Sequence, residues 1–337
     1  MTQSENAMEL HGRNLLSDID LSREEFLYLV DLSGRLRDEK RENKQRERRL
    51  TSRNIALIFE KASTRTRSAF EVAAHDEGAY VTYIGPEDSH LGYRESVKDT
   101  ARVLGRMFDG IEYRGSSQED IEILGSWAGI PVWNGMTDHW HPTQALADML
   151  TMRDHAKKPL EDVSYCYLGN RGNVANSLLV TGALLGMDVR ICGPESRHPF
   201  PDVQRIAMSL ATGSGAKVNV TSDVAAAVAD ADFLYTDSWL PIGRPEEWGD
   251  RINMFLPAYQ VNAEAMAATG NPEVKFMHNL PALHNREQEI GQRIYAEYGL
   301  EALEATEEVF ESSASVVFDQ AENRMHTIKA VMLATLL

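Results

Sequence analysis

The chain has 337 residues, which is long enough for two domains with sizeable apolar cores. Its 51 acidic residues exceed its 34 basic ones, and the net charge of −17 argues against nucleic-acid binding, which depends on neutralising phosphates. The first ten residues carry acids and no apolar stretch, and no segment has the ~20 apolar residues of a membrane span. We therefore expect a cytoplasmic protein with no signal peptide and no membrane contact.

Residues 35–53 are dense in charge, but acids and bases alternate there and no aromatic residue is present. This mixture favours a solvated helix and turn over a nucleic-acid patch. The two cysteines, Cys166 and Cys192, lie in apolar, strand-like runs with no His or Cys nearby at metal-ligand spacing. We expect both thiols to be buried and reduced, and we expect no metal site.

Short β-branched runs alternate with helical patterns along the rest of the chain, which is typical of parallel sheets covered by helices. The fold class is therefore α/β, with a boundary between two halves at 152–162. In chain order, we predict a strand at 55–59, a helix at about 66–77, a strand at 163–168, a helix at about 174–185, strands at 188–192, 233–236 and 274–277, and a helix at 323–337.

Ligands of open α/β sheets bind at the carboxyl ends of the strands, so the residues that follow each predicted strand are candidates. After the first strand come three hydroxyls and an arginine, in Ser63-Thr64-Arg65-Thr66. A helix N-terminus with such side chains is suited to a phosphate, although a Ser helix cap with solvated arginines would give the same pattern.

Polar residues follow other runs in the same way. His141 and Gln144 are one helical turn apart and suit a carbonyl and an amide. Gly169-Asn170-Arg171-Gly172-Asn173 opens a helix but lacks the G-x-G-x-x-G spacing, which leaves a nicotinamide dehydrogenase as a poor alternative. Asp237 and His278-Asn279-Leu280-Pro281 end two further strands.

Five segments in this order resemble the aspartate/ornithine carbamoyltransferase family, and most closely its ornithine members. The segments that carry the resemblance are Ser63-Thr64-Arg65-Thr66-Arg67, residues 95–106, Tyr113-Arg114-Gly115, His141-Pro142-Thr143-Gln144 and residues 318–329. The resemblance implies two doubly wound domains with parallel sheets. Residues 1–151 would bind carbamoyl phosphate, with the helix from about 320 to 337 packed back on them, and residues 152–319 would bind the amine.

The resemblance also implies a role for individual residues. Those expected to bind carbamoyl phosphate are Ser63, Thr64, Arg65, Thr66, His90, Arg114, His141, Gln144, Leu280 and Arg324. Those expected to bind the amino acid or amine are Asn173, Asp237, Pro241, Ile242 and Asn279. The expected catalytic residues are Arg65, His141, Arg324, Asp237 and Asn279. No cofactor or metal is implied, and the family is trimeric, with a neighbouring subunit contributing the loop that matches Gly85–His90.

The acceptor residues depart from the family pattern, whereas the main donor motifs are retained. Asn279 stands where ornithine enzymes carry a Cys, and Leu240-Pro241-Ile242-Gly243 replaces a Ser-Met-Gly loop. Asn170 and Gly172 replace an Asp and an Asn, and His90 replaces a Gln. The expected reaction is carbamoyl transfer from carbamoyl phosphate to the δ-amine of L-ornithine, giving citrulline and phosphate. Another acceptor (2,3-diaminopropionate, lysine or putrescine) and a non-catalytic binding protein remain as alternatives.

Overall fold

The computed structural model describes residues 9–42, 47–88, 91–92, 94–241 and 243–337. The chain divides into two compact units. The first comprises the chain up to Leu150 together with Glu322–Leu337, and the second comprises Thr151–Ala321. Among the described residues, no helix has the length and apolar character needed to span a bilayer.

The first unit is built on a parallel four-stranded sheet with the order β2-β1-β3-β4. Its strands are β1 (Asn54–Phe59), β2 (Tyr80–Ile84), β3 (Gly110–Arg114) and β4 (Val132–Met136). The accompanying helices are α1 (Arg23–Arg41), α2 (Thr64–Asp76), α3 (Val97–Leu104), α4 (Gln118–Trp127) and the first residues of α5 (Pro142–Ala156). Alternate residues of β1 and β3, among them Ile58 and Ile111, are buried in one apolar cluster with α3 and α4.

The second unit has a parallel five-stranded sheet with the order β7-β6-β5-β8-β9. Its strands are β5 (Ser164–Leu168), β6 (Asp188–Cys192), β7 (Lys217–Thr221), β8 (Phe233–Thr236) and β9 (Lys275–His278). Its helices are α6 (Asn173–Leu185), α7 (Pro201–Ser214), α8 (Val224–Val228), α9 (Trp248–Phe255), α10 (Ala263–Ala268), α11 (Glu289–Tyr298) and α12 (Glu307–Phe310). The last helix, α13 (Val317–Leu336), begins in this unit.

These two parallel sheets confirm the predicted α/β fold class. Each predicted strand is present within one residue of its expected bounds, but α13 begins at Val317, six residues before the predicted start. Four strands, β2, β3, β4 and β7, were not predicted. Strands β2 and β7 lie at the edges of their sheets and are partly exposed, and β3 carries Glu112 at its centre. These three strands therefore lack the continuous apolar run by which the other strands were predicted.

In the described part of the charged segment, residues 35–42 and 47–53, the charged side chains are exposed or half-buried, and two of them bind acids of a neighbouring element. Lys40 and Lys329 both contact the carboxylate of Asp76 at 2.6 Å, and the Arg49 guanidinium forms a two-point pair with Glu77 at 2.8 and 2.9 Å. These cations therefore connect elements of the first unit. Cys166 and Cys192 are buried free thiols, as predicted.

Candidate active site

The strand order of the first sheet reverses between β1 and β3. The chain adds β2 on one side of β1 and then adds β3 on the other side. Such a switch point leaves a crevice at the carboxyl edge, where ligands of α/β sheets bind. Phe59, the last residue of β1, is paired in register with Arg114, the last residue of β3. The segment after β1 and the Arg114 side chain therefore start from the same edge.

Helix α2 begins at this edge. Ser63 is its N-cap in extended conformation, and the Ser63 hydroxyl accepts a hydrogen bond from the Thr66 amide at 3.2 Å. Ser63 therefore does cap the helix, as the simpler interpretation of the sequence held. The cap accounts for one amide of the first turn, and the helix dipole still favours an anion at this end.

The Thr66 hydroxyl joins two arginines that are remote in sequence. The side chain is fully buried, and its Oγ1 accepts from Arg114 Nη1 at 3.3 Å and from Arg324 Nη2 at 3.1 Å. A hydroxyl has two acceptor lone pairs and one hydrogen. Since both lone pairs face guanidinium groups, the hydrogen of Thr66 is left to donate to a third group.

The two arginines of α2 have different surroundings. Arg65 is close enough to Arg114 for its charge to act on that guanidinium. Burial first, and then repulsion from Arg65, lower the pKa of Arg114, while Glu112 raises it. Arg67 instead pairs with Glu71 at 2.8 Å and lies 3.8 Å from the ring centre of Tyr83. The cationic cluster of the first unit thus contains Arg65, Arg114 and Arg324, and we call it the arginine cluster.

His141 lies at the end of the segment between β4 and α5, and it is only 4% exposed. Burial, followed by the charges of Arg324 and Arg114, lowers the pKa of His141 well below its ordinary value. Gln144 is also buried. Its Nε2 donates to Asp148 at 2.8 Å, while its Oε1 is buried without a hydrogen-bond partner among the described residues. Gln144 therefore offers an acceptor for an amide.

We expect His141 to be neutral at pH 7, because a charged ring would be desolvated and repelled by two guanidinium groups. Nitrogen-15 NMR of the ten histidines, with His141 assigned by its absence in His141→Gln, should show a neutral ring from about pH 8 down to about pH 6. The unfolded chain binds this proton more readily, so the site also loses stability as the pH falls below about 6.5. A titration midpoint of the His141 ring inside that range would contradict this expectation.

Glu112 and Asp148 were missed from the sequence. Glu112 is fully buried in β3, two residues before Arg114 and therefore on the same face of the sheet. A charged residue inside a buried strand was the available signal. Asp148 follows Gln144 by one helical turn, and it orients the Gln144 amide through a hydrogen bond. The spacing in the sequence allows this hydrogen bond but does not predict it.

The second sheet has its own switch point, between β5 and β8. Leu168 ends β5 and is paired in register with Thr236, which ends β8. Asn173 is the first residue of α6, after β5, and Asp237 directly follows β8. The N-cap of α6 is Gly172, which has no side chain to cap the helix, so this N-terminus suits a carboxylate.

Asp237 and Asn279 are in contact. Burial raises the pKa of Asp237, whereas hydrogen bonds from the Ser238 amide at 2.7 Å and from the Asn279 side chain lower it. Because Asn279 stabilises the carboxylate, its amide nitrogen is the donor. The Asn279 Oδ1 is buried without a partner among the described residues, and it remains available to accept from an amine.

A buried polar network supports the loop after β9. His278 Nδ1 accepts from the Leu280 amide at 2.8 Å, and the Glu304 carboxylate accepts from the Leu283 amide at 2.7 Å. His278 Nε2 lies 3.6 Å from the Glu304 carboxylate, and both residues are fully buried. Leu280 has a φ of 57°, a left-handed conformation that is unfavourable for Leu and that this network stabilises.

The remaining predicted site residues are dispersed. Leu280, expected at the donor site, belongs to the second unit and follows Asn279. Pro241 lies partly buried in the loop after β8. His90 and Ile242 lie outside the described residues.

One group of described side chains has the spacing of a metal site, namely His284, Glu307 and Glu311, whose ligand atoms lie within 4.8 Å of one another. Both glutamates are exposed, and the His284 ring is stacked on Phe310 at 3.6 Å and paired with Glu307. These contacts account for His284 and Glu307 as a hydrogen-bonded pair at the surface. It includes none of the predicted site residues.

These features define an α/β protein with a partly buried arginine cluster in one unit and a paired carboxylate and amide in the other. Comparison with family models gives the specific class. The model described as "Aspartate/ornithine carbamoyltransferase, carbamoyl-P binding domain" matches residues 13–154, and the model described as "Aspartate/ornithine carbamoyltransferase, Asp/Orn binding domain" matches residues 161–335. The chain belongs to the aspartate/ornithine carbamoyltransferase family and is a carbamoyltransferase.

Individual relatives agree over nearly the full length. The catabolic ornithine carbamoyltransferase of Rhizobium meliloti is 53% identical over 98% of this chain and 99% of its own. That of Haemophilus influenzae is 54% identical over the same shares. The solved structure of ornithine carbamoyltransferase from Pyrococcus furiosus is 37% identical, covers 97% of this chain and 98% of its own, and superposes with a TM-score of 0.89.

Proposed function

We propose that the protein transfers the carbamoyl group of carbamoyl phosphate to the δ-amine of L-ornithine, giving citrulline and phosphate. The observation that supports the donor most directly is the Thr66 hydroxyl, which is held by two guanidinium groups and has its hydrogen left to donate. A dianionic phosphate matches the arginine cluster and the N-terminus of α2. Ser63, Thr64, Arg65 and Arg114 are the proposed phosphate ligands, and the one hydrogen of Thr66 is assigned to the carbonyl oxygen of the donor.

The carbamoyl group fits the neighbouring polar atoms. We expect its carbonyl oxygen to accept from Thr66, His141 and Arg324, and Gln144 Oε1 to accept from its amide. As the amine attacks, negative charge develops on the carbonyl oxygen, and each positioned donor stabilises it by up to ~3–4 kcal/mol. The new C–N bond forms, the C–O bond to phosphate breaks, and the departing phosphate takes the proton that the amine loses.

The second unit supplies groups for an amino acid. The uncapped N-terminus of α6 and Asn173 suit an α-carboxylate, and the Asp237 carboxylate suits an α-ammonium group. Asn279 Oδ1 suits an N–H of the δ-amine, which must be neutral to attack. The relatives' names favour ornithine over 2,3-diaminopropionate, lysine and putrescine.

The amine is tested by measuring phosphate release with carbamoyl phosphate saturating and each of these four amines in turn. We expect ornithine to give the highest kcat/KM, with citrulline as the product. A higher value for another amine would replace ornithine as the acceptor. If no amine supports release, yet carbamoyl phosphate raises the melting temperature, the protein is a binding protein that retains the fold.

We expect Asn279→Cys to raise the kcat/KM for ornithine relative to lysine and putrescine by up to about tenfold. A thiol can ionise beside Asp237 and the amine, whereas the amide of Asn279 cannot. Competing-substrate assays measure the ratio, with Asn279→Ala as the control that removes the side chain without adding a thiol. An unchanged ratio in Asn279→Cys would mean that position 279 does not select the acceptor.

The proposal includes a homotrimer, or a multiple of trimers, in a cytoplasmic setting. Its support is the resemblance together with the exposed edge of the first sheet, where Tyr80 on β2 is 68% exposed. Light scattering after gel filtration measures the mass of the assembly. A monomer that retains full activity would rule out a contribution of Gly85–His90 from a neighbouring subunit.

A further inference from the structure

Glu112 is a buried carboxylate that has no role in the proposed binding of the substrates or in the proposed reaction. Neither of its side-chain oxygens has a hydrogen-bond partner among the described residues. The carboxylate lies against the backbone of Gly135 in β4, where an added Cβ would approach Glu112 Oε1 to 1.8 Å. The bare backbone at Gly135 therefore makes the space in which this carboxylate is buried.

The charges that face Glu112 come from the donor site. Arg114 on its own strand and Arg324 on α13 act directly on the carboxylate. Arg65 on α2 acts on Arg114, and His141, which precedes α5, faces both Arg114 and Arg324. The guanidinium groups favour the ionised carboxylate, but burial outweighs them and raises the pKa of Glu112 well above its ordinary value.

Donor binding changes this balance in one direction. In the empty pocket, the Glu112 carboxylate offsets part of the charge of two guanidinium groups. A bound phosphate dianion would offset the same charge and would repel a second anion buried behind those arginines. Two anions that share one set of cations bind protons more tightly than either anion alone.

We propose that Glu112 is a positioning residue that takes up one proton from solvent when the phosphate group of the donor binds, and returns it when phosphate leaves. In the ligand-free site the ionised carboxylate offsets part of the charge of Arg114 and Arg324, and the neutral carboxyl leaves that charge to the ligand. No other bond changes in this step. The inference rests on the proposed donor site.

Calorimetric titration with phosphonoacetamide, a stable phosphonate analogue of the donor, tests the proposal. Titrations in buffers of different ionisation enthalpy give the number of protons bound at each pH between about 6 and 9. Protonation of the ligand and of His141 contributes to every variant, so the readout is the difference between wild type and Glu112→Gln. The control is Glu119→Gln, which alters an exposed carboxylate on α4.

On binding the analogue, wild type and Glu119→Gln should each take up as much as one proton more than Glu112→Gln. We expect this difference over a window within the pH range from about 6 to 9. As the pH rises through that window, the affinity of wild type for the analogue should fall by up to about tenfold per pH unit for each linked proton. Above the window, Glu112→Gln should therefore bind the analogue more tightly than wild type. Equal proton numbers in wild type and Glu112→Gln at every pH would overturn the proposal. Absence of analogue binding in wild type would instead refute the donor site.

A second measurement keeps the test independent of the folding of the variant. Infrared difference spectra of wild type carrying carbon-13 glutamate should show a new band of a protonated carboxyl group when phosphonoacetamide binds. No such band across the same pH range would also overturn the proposal. A purely structural role for Glu112 predicts no change in either the band or the proton number.

Discussion

Arg65→Gln should lower the kcat/KM for carbamoyl phosphate by at least ~10²-fold, as expected for loss of a charge-assisted phosphate contact. Arg65 belongs to the arginine cluster, since its charge acts on Arg114, and it stands in the first turn of α2, where the dipole also favours an anion. Initial rates of phosphate release at varied donor concentration measure the change.

The chain offers a matched control two residues away. Arg67 is on the same helix, but it is exposed and contacts Glu71 and Tyr83. We expect Arg67→Gln to retain kcat/KM within about twofold, since an exposed i,i+4 pair contributes only a few tenths of a kcal/mol. Equal losses in both variants, or near-normal kinetics in Arg65→Gln, would remove Arg65 from the phosphate site.

The difference between Arg65 and Arg67 marks what the sequence alone could predict. The position of the Ser63–Arg67 segment after an apolar strand was sufficient to predict a site at a sheet edge. Which arginine faces that edge depends on the phase of α2, and the helix begins two residues before its predicted start. A register known only to two residues corresponds to a rotation of about 200° around the helix.

Arg324 illustrates the reverse case. Its contact with Thr66 joins residues 258 positions apart, and nothing in the composition of α13 indicates it. Only the family resemblance assigned Arg324 to the donor. Glu112 had no such support. A buried strand is predicted from a continuous apolar run, and an acid at the centre of β3 interrupts that run. The burial of Glu112 depends on Arg114 of the same strand, and on Arg324 and Gly135, which come from other elements.

The two units manage charge in different ways. The first unit of this acidic protein gathers the arginine cluster beside one buried carboxyl group, Glu112. The acceptor side stabilises the Asp237 carboxylate by hydrogen bonds from the Ser238 amide and the Asn279 side chain. Each arrangement is incomplete without a ligand of the opposite charge. This complementarity supports the proposed binding of an anionic donor in one unit and of a cationic amino-acid head group in the other.

Asp237→Asn should lower the kcat/KM for ornithine by about 10³-fold, the range expected when a reactant is no longer oriented. Burial raises the pKa of Asp237, so its ionised form is stable only with positive or hydrogen-bonding partners. An incoming ammonium group is such a partner, and it would lower that pKa again. The KM for ornithine in wild type should therefore rise as the pH falls and Asp237 becomes protonated, and Asp237→Asn should lack this contribution to the pH profile.

A substrate-specific defect distinguishes this role from a loss of folding. Asp237→Asn should still bind phosphonoacetamide with wild-type affinity, because the arginine cluster lies entirely in the other unit. Asp223→Asn, an exposed N-cap carboxylate of α8, serves as the control and should stay within about threefold of wild type. Ornithine kinetics within tenfold of wild type in Asp237→Asn would place the amino-acid head group elsewhere. A matching loss of analogue binding would instead point to a general structural role, because an amide in place of this carboxylate should change only what the second unit holds.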